Sequence, residues 1–291
     1  MPEGDTVYRL ARRLDDALAG ATLTGCDVRV CEYATVDLTG EHIDEVVSRG
    51  KHILMRVGEY TVHSHLKMEG SWQLYRPGER WKQPAFRARI VLETADWQAV
   101  GFELGMLDVV PRGREEAVVG HLGPDLLGSN WDPDEAARRL STRPDEPIGV
   151  ALLDQRNLAG LGNEYVAELC FLRGMLPNRL VRDSDIPKTI ALAHRLLVAN
   201  KDRAVRTTTG DLRPGHTSWV YGRENQACRR CGARIRQGQL GIGEHDDDET
   251  GTPRTGTPET GKPETGARGA RDARTGSRQL RATYVCPHCQ S

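Results

Sequence analysis

Apolar residues recur with helical spacing at the start of this chain and with a shorter spacing directly after it. In DTVYRLARRLDDALAG, Val7, Leu10, Leu14 and Leu18 share one face with arginines opposite, and Gly20 ends the run. That predicts one amphipathic helix. From there to about residue 120 the pattern changes to KHILMRV, YTVHSHL, SWQLY, RARIVLET and WQAVGFEL, short stretches that partly alternate between Gly, Pro or charged turns. Runs of that kind predict an antiparallel sandwich or barrel. Turn residues in HLGPDLLGSNWDP mark a hinge. Helical spacing returns in DEAARRL behind a capping start at Asp132, Pro133 and Glu135, then in PIGVALLDQRNLAG up to Gly160, in NEYVAELCFLRG and in PKTIALAHRLLVANKDR. The predicted fold class is α+β: an N-terminal antiparallel β-sandwich with a leading helix, a helical domain, and a cysteine-bearing C-terminal module. The boundaries fall at 1–121, a hinge at 122–133, 134–219, and 220–291.

Length and charge refine this picture. With 291 residues the chain is long enough for two domains with cores of their own. No apolar run approaches the roughly 20 residues needed to span a bilayer. The charged first segment lacks a signal peptide's apolar stretch, so a cytoplasmic protein without a membrane partner is expected. The net charge of −1 hides a polarity. Five arginines stand against one glutamate between residues 220 and 243, and residues 277–291 add two arginines and no acid. A basic patch of that kind suits a phosphate backbone, whereas a merely solvated surface would carry more acids. Inside the module, residues from about 246 to 276 carry a crude T-G-x-P-x repeat and almost no large apolar side chain. Such a segment cannot offset its ordering entropy and is expected to be disordered.

Seven cysteines, an odd number without a secretion signal, argue against a disulfide framework. CRRC and CPHC bring Cys228, Cys231, Cys286 and Cys289, the ligand set of a closed structural zinc site. The 54 residues between the pairs exceed common zinc-ribbon spacing, but leaving out residues 246–276 reduces them to 23. The insert therefore reads as an enlarged hairpin tip. A redox dithiol, the alternative, needs only one pair. Four sulfurs already fill a tetrahedron, which leaves His288 a bystander. Cys170 belongs to an apolar helical pattern, and Cys26 and Cys31 read as structural.

Four further places carry candidate chemistry. The start, MPEGDTV, is either helix punctuation or, once Met1 is removed, a secondary amine at Pro2 beside the carboxylate of Glu3. In LAGLGNEYVAE, glycines feed a helix near Asn163, where free N–H groups suit a phosphate oxygen; an ordinary Gly-rich turn reads the same. Lys51 stands just before a strand, behind a glycine that permits close approach of another backbone; as a surface lysine it reads as a solvated charge. Met68 in HSHLKMEGSW occupies a strand-to-turn position, as core or as a wedge for a base stack.

Together, PEG at 2–4, RGKH at 49–52, LGPDLL at 122–127, LLDQRNLAGLGNEYVAE at 152–168, VYGREN at 220–225 and RATYVCPHCQ at 281–290 resemble the formamidopyrimidine-DNA glycosylase and endonuclease VIII family of base-excision repair enzymes. The resemblance covers nearly the whole chain except the insert. It implies a helix–two-turn–helix DNA-binding domain at 134–219, a zinc-ribbon hairpin with one structural zinc, and double-stranded damaged DNA as partner. A monomer, cytoplasmic and held at the nucleoid through DNA, would suffice. Pro2 then resembles the nucleophile that attacks the sugar's anomeric carbon, and Glu3 the acid/base residue serving the ring oxygen. Lys51 matches a lesion-phosphate contact that supports β-elimination, Arg281 an arginine tied to phosphate binding and δ-elimination, and Asn163 an amide clamping the flanking phosphate. Met68 resembles the residue that fills the hole left by the flipped nucleotide.

PEGDTV looks like the endonuclease VIII start rather than the PELPEV of the purine-directed branch. ELGMLDVVPRG departs from that branch's DxRRFG element, which implies oxidised pyrimidines over 8-oxoguanine. Two rivals stand beside a bifunctional glycosylase/lyase: a catalytically silent zinc-ribbon DNA-binding protein, and a lyase acting only on abasic sites. Pro2, Glu3, Lys51 and Arg281 together favour the first.

Overall fold

In the computed structural model, residues 2–129, 131–242 and 279–291 are described; Met1 and the insert expected at 246–276 lie outside them. Helix α1 (Gly4–Leu18) buries Val7, Ala11, Leu14 and Leu18; of the expected stripe, Val7, Leu14 and Leu18 are buried and Leu10 is half-buried at its edge. These side chains pack on Leu23, Ile43, Val46, Ile53, Met55 and Leu92. Eight strands follow: β1 (Gly25–Val28), β2 (Ile43–Arg49), β3 (His52–Val57), β4 (Tyr60–His65), β5 (Ser71–Tyr75), β6 (Ala88–Glu93), β7 (Gln98–Phe102) and β8 (Met106–Pro111). They form two four-stranded sheets, β1-β6-β7-β5 and β2-β3-β4-β8, with every pairing antiparallel.

The sequence pattern singles out five of these strands and misses β1, β2 and β8. Alternation in β2 is broken by a register shift between Ile43 and Glu45. In β3 it is obscured because both faces are covered. Ile53, Met55 and Val57 face the sandwich core, while Leu54 packs with Val119, Leu122 and Ala159 where the helices join.

After a short turn of helix, α2 (Glu116–Val119), the chain enters α3 (Pro133–Leu140), capped as expected. The Asp132 carboxylate accepts from the N–H groups of Asp134 and Glu135, both at 3.0 Å. Helix α4 (Ile148–Leu153) corrects an expectation, since it stops seven residues before Gly160. The residues that follow take up the backbone groups a longer helix would use. Asp154 accepts from the Arg156 N–H at 2.9 Å, the Gln155 amide donates to the carbonyls of Leu153 and Leu161, and the Asn157 amide donates to that of Ala151. Helices α5 (Asn163–Arg173) and α6 (Ile186–Asn200) complete a second core around Leu152, Leu161, Tyr165, Leu169 and Leu197. Cys170 is fully buried there, as expected, whereas Cys31 is exposed.

Strands β9 (Arg236–Ile242) and β10 (Gln279–Val285) pair antiparallel as the arms of a hairpin. Phe171, Val220, Ile235, Cys228 and Cys286 form the third core. Glu168 on α5 fastens this unit to the helices by accepting from the N–H groups of Trp219, Val220 and Tyr221, each at 2.8 Å. Among the described residues no helix is long and apolar enough to cross a membrane.

Candidate functional site

Glu3 precedes the first turn of α1 in extended conformation, yet its side chain does not cap that helix. It crosses to α5 instead. There Gly162 stands at the N-cap and offers no side chain, so the first N–H groups of α5 need another acceptor. The Glu3 carboxylate supplies it: Oε2 accepts from Gly162 at 2.8 Å and Tyr165 at 3.3 Å, and Oε1 accepts from Glu164 at 2.8 Å. The approach is close because glycines permit it. The Gly4 N–H donates to the Gly160 carbonyl at 2.9 Å, and a Cβ on Gly4 would lie 2.9 Å from the Gly160 Cα.

The carboxyl group of Glu3 is fully buried. Burial raises its pKa above the ordinary carboxylate value; the charges of Arg206 and Lys51 and the backbone N–H of Glu164 oppose that, while the Glu164 side chain adds to it. Pro2, half-buried, is covalently tied to this anchored residue.

Lys51 lies in the β2–β3 turn, which Asp125 holds. Asp125 is buried and accepts from the Gly50 N–H at 2.8 Å. Gly50 has φ +59°, and a Cβ there would come within 3.0 Å of the Ala159 Cβ. The turn bearing Lys51 is thus pressed against the residues just before Gly160. On the far side, the Asn163 amide donates to the Ala282 carbonyl at 2.7 Å, next to Arg281 on β10. Residues 2–4, 50–51, 160–164 and 281–282 therefore converge. Met68 is 65% exposed on the turn after β4. Because His52 pairs with His65 across β3 and β4, that turn lies at the same end of the sheet as Lys51.

Several residues of this site went unassigned in the sequence reading. Asp125 is one, although it lies in LGPDLL. A polar chain behind Lys51 is another. His52 Nδ1 and His63 Nε2 are 2.8 Å apart, and His63 Nδ1 is 2.8 Å from Asp108 Oδ2. The Tyr33 hydroxyl donates to Asp108 Oδ1 at 3.2 Å. A carboxylate accepting from His63 Nδ1–H leaves Nε2 to accept from His52, which fixes both tautomers. Burial holds the His52 pKa well below 6.5, helped by its histidine neighbours and Lys51.

The four cysteine sulfurs of Cys228, Cys231, Cys286 and Cys289 lie within 4.8 Å of one another. Cys228 and Cys289 are 3.9 Å apart, and Cys231 and Cys286 are 3.5 Å apart. A tetrahedral zinc with Zn–S bonds of about 2.3 Å requires sulfurs separated by about 3.8 Å, so the set fits such an ion. His288 is exposed and outside the cluster. The basic patch is narrower than its composition suggests. Arg223 donates to the carbonyls of Trp219 and Ala227, Arg229 donates to those of Ser218 and Gly215, and Arg230 covers the Phe171 ring at 4.5 Å. Arg230, Arg234 and Arg236 are exposed.

Residues 1–108 match the family model described as formamidopyrimidine-DNA glycosylase N-terminal domain. The chain is 52% identical over 251 residues to a probable endonuclease 8 2 of Streptomyces coelicolor, covering 84% of this chain and 90% of that one. It is likewise 52% identical to a DNA-(apurinic or apyrimidinic site) lyase Nei2 of Mycolicibacterium smegmatis, over 81% of this chain and 92% of the relative. Among solved structures, MutM in complex with DNA containing carbocyclic 8-oxo-G superposes with a TM-score of 0.71 at 21% identity, covering 100% of both chains. Lactococcus lactis formamidopyrimidine-DNA glycosylase, bound non-covalently to DNA containing an AP site, does so with a TM-score of 0.69 at 20% identity over 99% of each.

Proposed function

Because the chain belongs to the formamidopyrimidine-DNA glycosylase and endonuclease 8 family, we propose that it excises oxidised bases, pyrimidines above all, from double-stranded DNA and then cleaves the strand. The observation that carries this reading is the seat of Glu3. A buried carboxyl group adjoins Pro2 and lies within electrostatic reach of Lys51, against a helix start whose Asn163 touches the strand bearing Arg281.

The chemistry follows from those groups. With Met1 removed, Pro2 presents a secondary amine whose pKa in free peptides is about 8, so a usable fraction is neutral at cellular pH. The amine attacks the anomeric carbon and expels the base while Glu3 delivers a proton to the ring oxygen. The resulting iminium draws electrons from the neighbouring carbon, a proton leaves that carbon, and β-elimination releases the 3′ phosphate. Lys51, Asn163 and Arg281 bind phosphates and so set position rather than base choice, and Arg281 assists the second, δ-elimination. Met68 occupies the gap left by the extruded nucleotide. In this reading the four cysteines hold one structural zinc that keeps the β9–β10 hairpin folded, the hinge at 122–133 separates the 1–121 and 134–219 units, and a monomer acts on DNA in the cytoplasm.

Borohydride reduction tests the proposal. On a duplex carrying thymine glycol, a covalent adduct that peptide mass spectrometry locates at Pro2 is the expected result. No adduct, or one on a lysine, overturns it. The name of the M. smegmatis relative favours one second reading, a lyase confined to abasic sites. An adduct formed only with abasic duplex selects it.

A further inference from the structure

We infer that Arg206, in the loop after α6, is the positioning residue that sets the charge and the seat of Glu3. The inference rests on the role proposed for Glu3 but is carried by a separate set of contacts. The Arg206 side chain is only 10% exposed. Its Nε donates to Asp5 Oδ2 at 2.9 Å, and Nη2 donates to Asp5 Oδ1 at 2.5 Å and to the Thr6 hydroxyl at 3.0 Å. Nη1 donates to Glu164 Oε2 at 2.7 Å and stands 3.9 Å from Glu3 Oε1. The guanidinium also lies 4.8 Å from the centre of the Tyr165 ring, and the Tyr165 hydroxyl donates to Asp5 Oδ2 at 3.1 Å.

One planar cation therefore ties the first turn of α1 to the first turn of α5, and Glu3 lies between those two turns. Three carboxyl groups, Glu3, Asp5 and Glu164, share this interior volume. Arg206 serves two of them directly and the third through space. A lysine cannot repeat the arrangement, since its ammonium is a single point on a flexible stem whereas the guanidinium fork is rigid.

The charged and titratable groups around Glu3 are Arg206 and Lys51 as cations, Glu164 as an anion, Asp5 across the guanidinium, and the hydroxyls of Tyr165 and Tyr221. Removing Arg206 leaves Lys51 as the one cation in that group, facing three acids. Glu3 then keeps its proton to higher pH. Removing the Glu164 charge acts in the opposite sense, because that anion disfavours a second negative charge beside it. The opposed signs separate electrostatic control from general loosening, which would move both variants alike.

The test is a carbon-13 NMR titration of the full chain labelled at the glutamate carboxyl carbons, with the Glu3 signal identified by its absence in E3Q. R206Q is expected to move the Glu3 midpoint upward by at least about one unit, a tenfold change in proton affinity, and E164Q to move it downward. R206K, which keeps the charge without the fork, should give a smaller upward shift and serves if R206Q does not fold. Wild-type midpoints in R206Q and R206K, or shifts of the same sign in R206Q and E164Q, overturn the inference. Because the titration reads Glu3 without turnover, failure of borohydride trapping at Pro2 would sink the proposed function while leaving this result standing.

Discussion

Gly162 offers the sharpest handle on the site. Its backbone, with φ −126° and ψ −167°, is extended and open to any L-residue, so an alanine there costs no dihedral strain. What it meets is Glu3. A Cβ on Gly162 would lie 2.6 Å from the Glu3 Cδ, 2.7 Å from Oε1 and 2.8 Å from Cγ. Restoring ordinary contact of 3.4 Å or more makes the carboxyl group retreat by roughly 0.8 Å, and misplacing a reacting group by about 1 Å costs on the order of a hundredfold in rate. The retreat also lengthens the bonds to the α5 N–H groups, and losing a cap of this kind costs about 1–2 kcal/mol. G162A should therefore excise thymine glycol about a hundredfold more slowly in single-turnover assays with enzyme in excess. Its melting temperature should fall by only a few degrees. Lesion-duplex affinity should stay within about threefold, because Lys51 and Arg281, two of the proposed phosphate contacts, lie on other elements. A folded G162A that excises within about threefold of the wild-type rate would show that the rate does not depend on the seat of this carboxyl group.

Three more outcomes are expected. K51A and R281A should each weaken duplex binding across sequences and reduce the slope of log affinity against log salt by about one, read by fluorescence anisotropy from low to high salt; an unchanged slope removes the residue from the phosphate contacts. Metal analysis should find one zinc per chain, released by chelator together with loss of duplex binding, and C286A should copy that loss; full binding by the metal-free chain would refute a structural site. For His52 the sign is set by its lowered pKa, which makes the unfolded chain bind the proton first. Stability is thus intact above about 6.5 and declines below it, by up to about 1.4 kcal/mol per pH unit until the folded value is reached. Urea midpoints across that range should fall less steeply in H52Q, and an identical fall in both proteins contradicts the assignment.

What the sequence made legible was local. The α1 stripe, the Asp132 cap, the start of α5 at Asn163 and the paired cysteines all show in spacings of four residues or fewer. The early end of α4 did not show, because Asp154, Gln155 and Asn157 are polar residues of a kind a helix also accommodates on its exposed face. Nor did the partnerships of Glu3 with α5, Arg206 with Asp5, or Asp125 with Gly50, which join positions 75 to 201 residues apart. The histidines of HSH were visible as an i, i+2 pair, but their meaning depended on Asp108 arriving opposite His63 in β8. Resemblance to a family pointed to Pro2, Glu3, Lys51, Asn163 and Arg281. It gave no hint of the groups that hold them.

The convergence of positions 2–4, 50–51, 160–164 and 281–282 also bears on how such a protein is made. Its parts come from segments far apart along the chain, so the cluster forms only once all of them have packed together. On the proposed reading, a partly folded chain has no means of cutting DNA.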